Sequence, residues 1–244
     1  MIMKSNKTKK HIVIVGGSGG IGYKLTKKLT SNNRLTIVTR KKEKFLNIKN
    51  KDINVVKFDV LDFSKISNLL ENIIKDNGKI DSLIYCVGVQ IVKPLRNFTI
   101  KEIKKIIDTN LISAMIFGKE MSSNRISDVN ATFCAISSIA ATEPEAAIIP
   151  YSVSKAGLET MIKGLSLENP TRKFIGVAPG WLNTEMTQSF SHIYDKKFKK
   201  KLQKKSPLGI TTIDGVVGFI VKLILKKIKC ANGKTIKLNK RLSK

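Results

Sequence analysis

The segment His-Ile-Val-Ile-Val-Gly-Gly-Ser-Gly-Gly-Ile-Gly, residues 11–22, decides the expected fold. Its first five residues form a short, mainly apolar and β-branched run, which is typical of a buried strand. The glycine cluster lets the backbone approach a pyrophosphate closely, and a helix beginning at Ile21 offers free N–H groups and a positive dipole. The alternative is a flexible strand–helix turn that binds nothing. The residues expected to hold a dinucleotide are Gly16, Ser18, Gly19, Gly20, Ile21 and Gly22.

Strand and helix patterns alternate along the rest of the chain. Strands that alternate with helices of ten or more residues form βαβ units, so the pattern predicts a parallel sheet. The chain shows no internal repeat or linker. We expect a flexible basic N-terminus at residues 1–10 and one α/β domain at 11–240, a Rossmann-type doubly wound parallel sheet with helices on both faces. The predicted strands are 11–15, 34–39, 55–58, 82–87, 131–136, 174–177 and 235–238, and the predicted helices are 21–29, 66–74, 100–117, 151–167 and 214–225.

Composition excludes several classes of protein. Three widely spaced Cys without a CxxC argue against a disulfide scaffold or a zinc site, and two His argue against a multi-His metal centre. No apolar stretch is long enough to span a membrane, and the basic N-terminus is not a signal peptide. We expect a cytoplasmic protein with no metal and no transmembrane segment.

The chain is strongly basic. Its formal net charge is +27, and 39 of the 45 basic residues are Lys. Either a genome biased toward A and T codons or a selected basic surface explains this composition. In both cases the positive electrostatic field of the protein attracts acidic proteins and phosphates. No nucleic-acid recognition motif is present, so we expect no specific nucleic-acid partner.

The glycine cluster also satisfies a rival motif, the G-x-S-x-G nucleophile elbow of α/β-hydrolases, through Gly16, Ser18 and Gly20. A hydrolase triad then needs an acid and a His later in the chain. Only His192 is available, and it stands beside a Lys-rich stretch. This pattern favours the dinucleotide site over the hydrolase.

The second predicted strand ends in Thr39-Arg40-Lys41-Lys42. An acidic residue at this point typically binds the 2′-hydroxyl of the adenosine ribose. A cation suits a 2′-phosphate instead, so Arg40 favours NADP over NAD. The alternative is one more exposed cation in a Lys-rich chain, but Arg is scarce here.

Tyr151 and Lys155 are four residues apart, which places both side chains on one face of a helix. An ammonium beside a phenol favours the phenolate and lowers the tyrosine pKa, which makes Tyr151 a usable acid near neutral pH. Ser138 ends a predicted strand thirteen residues earlier. A second Tyr-xxx-Lys pair, Tyr23 and Lys27, lacks such a serine, and we interpret it as an exposed helix face.

Together these motifs resemble the short-chain dehydrogenase/reductase family, and within it the 3-oxoacyl-[acyl-carrier-protein] reductases. The similarity runs from about His11 to Leu238. The segments that carry it are Gly16 to Gly22, Asp59-Val60, Asn110 within Asp108-Thr109-Asn110-Leu111, Ile136-Ser137-Ser138, Tyr151-Ser152-Val153-Ser154-Lys155, and Ala178-Pro179-Gly180-Trp181 with Thr184.

The resemblance implies a catalytic tetrad of Asn110, Ser138, Tyr151 and Lys155. According to this resemblance, Ser138 polarises the substrate carbonyl and Tyr151 donates a proton. Lys155 holds the nicotinamide ribose, and Asn110 anchors a water in a proton relay. It also implies NADPH as cofactor. The further cofactor contacts that it implies are Asp59, Val60, Gly88, Pro179, Gly180, Leu182 and Thr184, besides Tyr151 and Lys155.

The chain departs from the family pattern in three places. Val15 stands where the family has Thr, and Cys86-Val87-Gly88 replaces Asn-Ala-Gly after the fourth strand. We expect Cys86 and Cys134 to be core thiols. The glycine-rich C-terminus of the family is replaced by Asn239-Lys240-Arg241, although we still expect a homotetramer or homodimer.

Seven of the ten residues from Lys196 to Lys205 are Lys, within a segment at about 187–207 that by resemblance covers the substrate. A basic lid suits an acyl thioester on an acidic acyl carrier protein or coenzyme A, with Arg125, Arg172 and Lys173 adding to a docking patch. The alternatives are a solvated amphipathic helix or a membrane-surface contact. The resemblance implies NADPH-dependent reduction of 3-oxoacyl-[acyl-carrier-protein]. Two alternative hypotheses remain. The substrate is another small ketone, either sugar-derived or a secondary metabolite, or the protein is a nonenzymatic NADP-binding regulator.

Overall fold

The computed structural model describes residues 9–31, 33–48, 50–182, 184 and 212–238. Within these ranges seven strands form one parallel sheet in the order β3-β2-β1-β4-β5-β6-β7. The predicted doubly wound α/β fold is therefore confirmed. The strands are β1 Lys10–Val15, β2 Asn33–Thr39, β3 Ile53–Lys57, β4 Ser82–Tyr85, β5 Thr132–Ile136, β6 Lys173–Ala178 and β7 Thr235–Lys237.

Helices cover both faces of the sheet. On one face Phe117, Leu70 and Leu158 from three helices belong to a single buried cluster with residues of the sheet. On the other face Leu25 and Val217 belong to a second cluster. The inner strands thus bury side chains on both sides, which explains why they are apolar runs rather than alternating ones. The helices are α1 Gly20–Leu29, α2 Ile66–Asn77, α3 Ile100–Ile107, α4 Ser113–Met121, α5 Ile149–Glu168 and α6 Ile213–Ile224.

Two predicted elements differ in the structure. The fourth strand ends at Tyr85, so Cys86 and Val87 belong to the loop that follows it. The predicted helix over 100–117 is interrupted by a π turn, Asp108–Ile112. The carbonyl of Thr109 in this turn accepts hydrogen bonds from Tyr85 Oη at 2.8 Å and Ser113 Oγ at 2.8 Å. Buried hydroxyl groups therefore stabilise the turn from inside the core.

Within the described part of the chain, none of the helices is both long and apolar enough to cross a membrane. Residues 1–8 and 239–244 lie outside the described residues, and Lys10 is the first residue of β1. The predicted segment at about 187–207 also lies outside them.

His11 couples the stability of the fold to pH. It is almost fully buried, its Nδ1 lies 2.9 Å from Gly78 O, and its Nε2 lies 3.0 Å from Thr36 Oγ1. A neutral ring satisfies both contacts, donating from Nδ1 and accepting at Nε2. Burial lowers the His11 pKa below its usual 6.5. The unfolded chain therefore takes up a proton first as the pH falls.

We predict that the free energy of unfolding falls below about pH 6.5, and that His11→Gln weakens this dependence. The variant should lose about 1–3 kcal/mol at neutral pH, because a buried polar group loses its partner. Urea denaturation at about pH 7.5 and pH 5.5 measures both effects. Parallel pH dependences in the two proteins would contradict the assignment.

Candidate active site

Two adjoining pockets lie at the carboxyl ends of the strands. Ligands of open α/β sheets bind there, at the point where the strand order reverses, and in this sheet that point lies between β1 and β4. The loop after β4 lines both pockets through Cys86, Val87 and Gly88. The two pockets are therefore parts of one continuous cleft. We call the part beside β2 the adenosine-side pocket and the part beside β5 the substrate-side pocket.

The glycine loop between β1 and α1 forms one wall of the cleft. Gly16 has φ +87°, a left-handed conformation that favours glycine. A Cβ on Gly22 would lie 2.4 Å from the carbonyl oxygen of Gly16, so no side chain fits where the loop meets the helix. Gly19 caps α1 without a side-chain hydrogen bond, and the first turn holds no acidic residue. The helix N-terminus therefore presents free N–H groups to an anion, as a pyrophosphate cradle requires.

The adenosine-side pocket brings together predicted cofactor residues from three segments. Gly16, Ser18 and Gly19 line it from the glycine loop, and Gly88 lines it from the loop after β4. Gly20 and Gly22 lie behind this wall, at the start of α1. The remaining lining residues from the predicted set are Arg40, Asp59 and Val60.

Arg40 and Asp59 face each other across the adenosine-side pocket. The distance from Arg40 Nη1 to Asp59 Oδ2 is 3.8 Å, and the side chains are 65% and 40% exposed. At this exposure the pair contributes little to stability. Both side chains can therefore exchange their contact for a ligand at small cost.

Three residues of the predicted tetrad line the substrate-side pocket, which has a volume of about 170 Å³. Ser138 lies two residues after the end of β5, and its Oγ accepts a hydrogen bond from Ala140 N at 3.2 Å. Tyr151 and Lys155 lie one turn apart on α5, with the Lys155 ammonium 5.7 Å from the centre of the Tyr151 ring. The predicted cofactor residues that line this pocket are Ile21, Gly88, Pro179, Gly180, Leu182 and Thr184.

The ammonium of Lys155 is buried at the end of β5. The side chain is 4% exposed, and Nζ donates a 2.8 Å hydrogen bond to the carbonyl oxygen of Ile136. Burial lowers the pKa of Lys155 to about 8, because a charged ammonium is poorly solvated there. At neutral pH the group is still mostly protonated, so its positive charge faces the Tyr151 ring.

Asn110, the fourth predicted member, lies behind the cleft and does not line it. Its Oδ1 accepts from Val89 N at 2.8 Å, while its Nδ2 donates to Val89 O at 2.9 Å and to Ser154 Oγ at 3.0 Å. The π turn directs this side chain toward both partners. Asn110 therefore connects the loop after β4 to α5, beside Lys155. Its predicted role as the anchor of a water stays a prediction.

Sequence reasoning missed several lining residues. Gln90, Glu143 and Glu145 line the substrate-side pocket, and Trp181 lines it as well. Glu143 and Glu145 stand in the segment between β5 and α5, where the sequence carries no recognisable motif. Ser154 lies inside the quoted Tyr151 to Lys155 segment, but its contact with Asn110 depends on the π turn.

Two expectations for single residues change in the structure, those for Arg172 and Cys86. Arg172 does not belong to a surface patch: it is 6% exposed and donates to Asn124 Oδ1 and Ser127 Oγ. Cys86 lines the cleft instead of lying in the core, although burial raises its thiol pKa to about 12 and makes the thiolate rare. Cys134 is fully buried, as expected. The rival nucleophile elbow needs His192, which lies outside the described residues.

Tyr23 and Lys27, the second Tyr-xxx-Lys pair, lie away from both pockets. The Tyr23 ring packs against Phe45 with 5.7 Å between ring centres, and Lys27 Nζ lies 4.7 Å from the Tyr23 ring centre. This pair has the same spacing as the candidate pair but no serine and no cleft beside it. The spacing of a Tyr-xxx-Lys pair alone therefore does not place the pair in the cleft.

A family model described as short chain dehydrogenase matches residues 10–195. This is more than half of the chain, and the chain belongs to the short-chain dehydrogenase family. It is an oxidoreductase that acts between CH–OH and C=O groups.

One relative is the 3-oxoacyl-[acyl-carrier-protein] reductase of Buchnera aphidicola subsp. Baizongia pistaciae, 27% identical over 222 residues, which are 88% of this chain and 90% of the relative. Two solved structures share the fold. One is 4-hydroxyisoleucine dehydrogenase complexed with NADH, with a TM-score of 0.85 and 20% identity over 95% of this chain and 97% of that one. The other is an actinorhodin polyketide ketoreductase variant with NADPH, with a TM-score of 0.82 and 18% identity over 94% and 95%.

We predict that Gly22→Ala abolishes dinucleotide binding, because the new methyl group meets the Gly16 carbonyl oxygen and must displace the loop. Gly218→Ala is the control, since no atom lies within 4 Å of its new Cβ and the residue lines neither pocket. Titration with NADPH, followed by the fluorescence of the reduced cofactor, measures both affinities. Equal affinities would show that the close approach is not what shapes the cradle.

Proposed function

We propose that this protein reduces a ketone to a secondary alcohol with NADPH, using Ser138, Tyr151 and Lys155. The observation that carries the proposal is the buried Lys155 ammonium beside the Tyr151 ring, in a cleft that Ser138 also lines. A hydroxyl donor and a phenol that meet at one oxygen stabilise the negative charge that develops there.

Each group has a distinct role in this chemistry. Ser138 Oγ accepts from Ala140 N, which leaves its O–H to donate to the substrate carbonyl oxygen. Lys155 favours the phenolate form of Tyr151 and thereby lowers the pKa of the phenol. Tyr151 then transfers its proton to the oxygen as the carbonyl carbon is reduced. The proton on oxygen and the hydride on carbon together give the secondary alcohol.

The residues of the cleft fit a dinucleotide that carries a 2′-phosphate. The uncapped helix N-terminus suits the pyrophosphate, and Arg40 suits the extra phosphate on the ribose. Asp59 and Val60 stand where the adenine would lie. When bound, the nicotinamide ring supplies the hydride.

The leading substrate is 3-oxoacyl-[acyl-carrier-protein]. Support comes from the relative of that activity, which matches 88% of this chain at 27% identity. The net charge of +27 also suits an acidic carrier protein as partner.

A second substrate class has support of its own, because polar side chains stand among the largely apolar residues that line the substrate-side pocket. Gln90, Glu143 and Glu145 provide amide and carboxylate groups that accept hydrogen bonds from hydroxyl or ammonium groups. A small ketone that carries hydroxyl groups, such as a sugar-derived one, matches these polar groups, while the apolar part of the lining matches an acyl chain.

The assay compares an acetoacetyl thioester with hydroxylated small ketones and follows the loss of NADPH absorbance. Preference for the thioester supports the carrier-protein substrate, and preference for a hydroxylated ketone supports the second class. Tight NADPH binding without turnover of any ketone would contradict the proposed reaction and favour a regulatory protein.

We propose further that the protein forms a homodimer or homotetramer through α5. Its exposed side carries Ile149, Val153 and Leu167, which are 41%, 55% and 74% exposed. These positions lie along one side of the helix, and a second copy would cover their apolar surface.

We predict that Tyr151→Phe lowers kcat by about 10²–10⁴-fold, because the proton donor is lost while the ring remains. Tyr23→Phe, in the pair of identical spacing outside the cleft, should keep normal activity. Steady-state kinetics on the best ketone checks both variants. Near-normal turnover by the Tyr151 variant would overturn the role of this residue.

A further inference from the structure

Helix α5 contacts the end of β5 at two points that are about one helical turn apart. Lys155 Nζ donates to the carbonyl oxygen of Ile136, the last residue of β5. Four residues further along the helix, Glu159 Oε1 accepts a 2.8 Å hydrogen bond from Ser137 Oγ. No step of the proposed reaction uses this second contact. Glu159 lines neither pocket, so any effect that it has on the reaction passes through Ser137.

Ser137 depends on Glu159 for its side-chain hydrogen bond. The residue is 3% exposed, and its N–H donates to the carbonyl oxygen of Val177 on β6 at 2.7 Å. Its hydroxyl has a single proton to donate, and the other acceptor in reach, the carbonyl oxygen of Lys155, lies at 3.5 Å. A hydrogen bond of that length is weak. The shorter bond to a carboxylate is therefore the one that satisfies this buried hydroxyl.

The second contact matters because one contact alone would let α5 pivot on the strand end. The two contacts lie about 6 Å apart along the helix axis, and together they oppose such a rotation. Tyr151 lies one turn before Lys155 on the same helix, and Ser138 directly follows Ser137 in the chain. A rotation of α5 would therefore change the distance between the Tyr151 phenol and the Ser138 hydroxyl. These two groups must meet at one substrate oxygen, and a misplacement of about 1 Å can cost about 100-fold in rate.

We propose that Glu159 is a positioning residue of the active site, which holds α5 to the end of β5 through Ser137 and thereby sets the distance between Ser138 and Tyr151. The inference rests on the proposed ketone reduction and adds to it a residue outside the cleft. Because Glu159 acts through one hydrogen bond, the reaction depends on its acceptor oxygen and not on its negative charge.

The test compares Glu159→Ala with Glu159→Gln by steady-state kinetics on the best ketone. Glu159→Ala should lower kcat about 10-fold and leave the KM for NADPH within about twofold, because the groups that bind the cofactor keep their contacts. Glu159→Gln keeps an oxygen that accepts the Ser137 hydrogen bond and should retain most of the activity. Glu168→Ala removes an exposed carboxylate at the end of the same helix. It is the matched control and should change neither constant.

Ser137→Ala removes the other half of the contact and completes a double-mutant cycle. Each single variant and the double variant should lose kcat by about the same factor, because the same hydrogen bond is absent from all three. Urea denaturation of each variant measures the free energy of unfolding alongside the kinetics. This comparison separates a positioning role from a contribution to stability alone.

Three results would overturn the role of Glu159. A Glu159→Ala variant with lower stability but normal kcat would show that the residue only stabilises the fold. Equal losses in Glu159→Ala and Glu159→Gln would show that the charge matters instead of the hydrogen bond, and additive losses in the cycle would show that Glu159 does not act through Ser137. A wild-type protein that reduces no ketone is a separate result. It would overturn the proposed function itself, and the role of Glu159 with it.

Discussion

The candidate site depends on one buried charge, the ammonium of Lys155 at the end of β5. Removing an ammonium from water is costly, and here a hydrogen bond to the carbonyl oxygen of Ile136 offsets part of that cost. That bond joins α5 to the carboxyl edge of the sheet. Because Tyr151 lies one turn earlier on the same helix, the position of the ammonium also fixes the position of the phenol. Ser138 lies two residues after Ile136, the last residue of the same strand, so the positions of all three groups depend on the end of β5.

Other parts of the fold hold Ser138, Tyr151 and Lys155 in position beside the cleft. Asn110 contacts both Val89, in the loop lining the cleft, and Ser154, beside Lys155. Its side chain reaches both because a π turn widens the helix there. Tyr85 and Ser113 in turn hydrogen-bond the turn's Thr109 carbonyl. A buried polar network of this kind favours one arrangement of α5 relative to the loop, since each alternative leaves buried groups without partners.

Local patterns predicted the fold, and three of the residues they singled out, Ser138, Tyr151 and Lys155, line one pocket. The β-branched run before the glycine cluster predicted β1, and the i,i+4 spacing predicted that Tyr151 and Lys155 share a helix face. The π turn escaped prediction because apolar periodicity over 100–117 fits an uninterrupted helix, and the insertion depends on hydroxyl groups from β4 and α4. The hydrogen bond from Lys44 to the Ser18 carbonyl oxygen escaped prediction too, because the two residues are 26 apart in the chain. Arg172 was misassigned to the surface because its hydrogen-bond partners, Asn124 and Ser127, are distant in sequence.

The most direct test of the account is the protonation equilibrium of Lys155 itself. Lysine labelled with ¹³C at the ε carbon gives one NMR signal per side chain, and each signal can be followed against pH. We expect one lysine signal to titrate near pH 8 and to disappear in Lys155→Arg. If no lysine signal titrates near pH 8, the Lys155 ammonium is solvated and Tyr151 has no buried charge beside it.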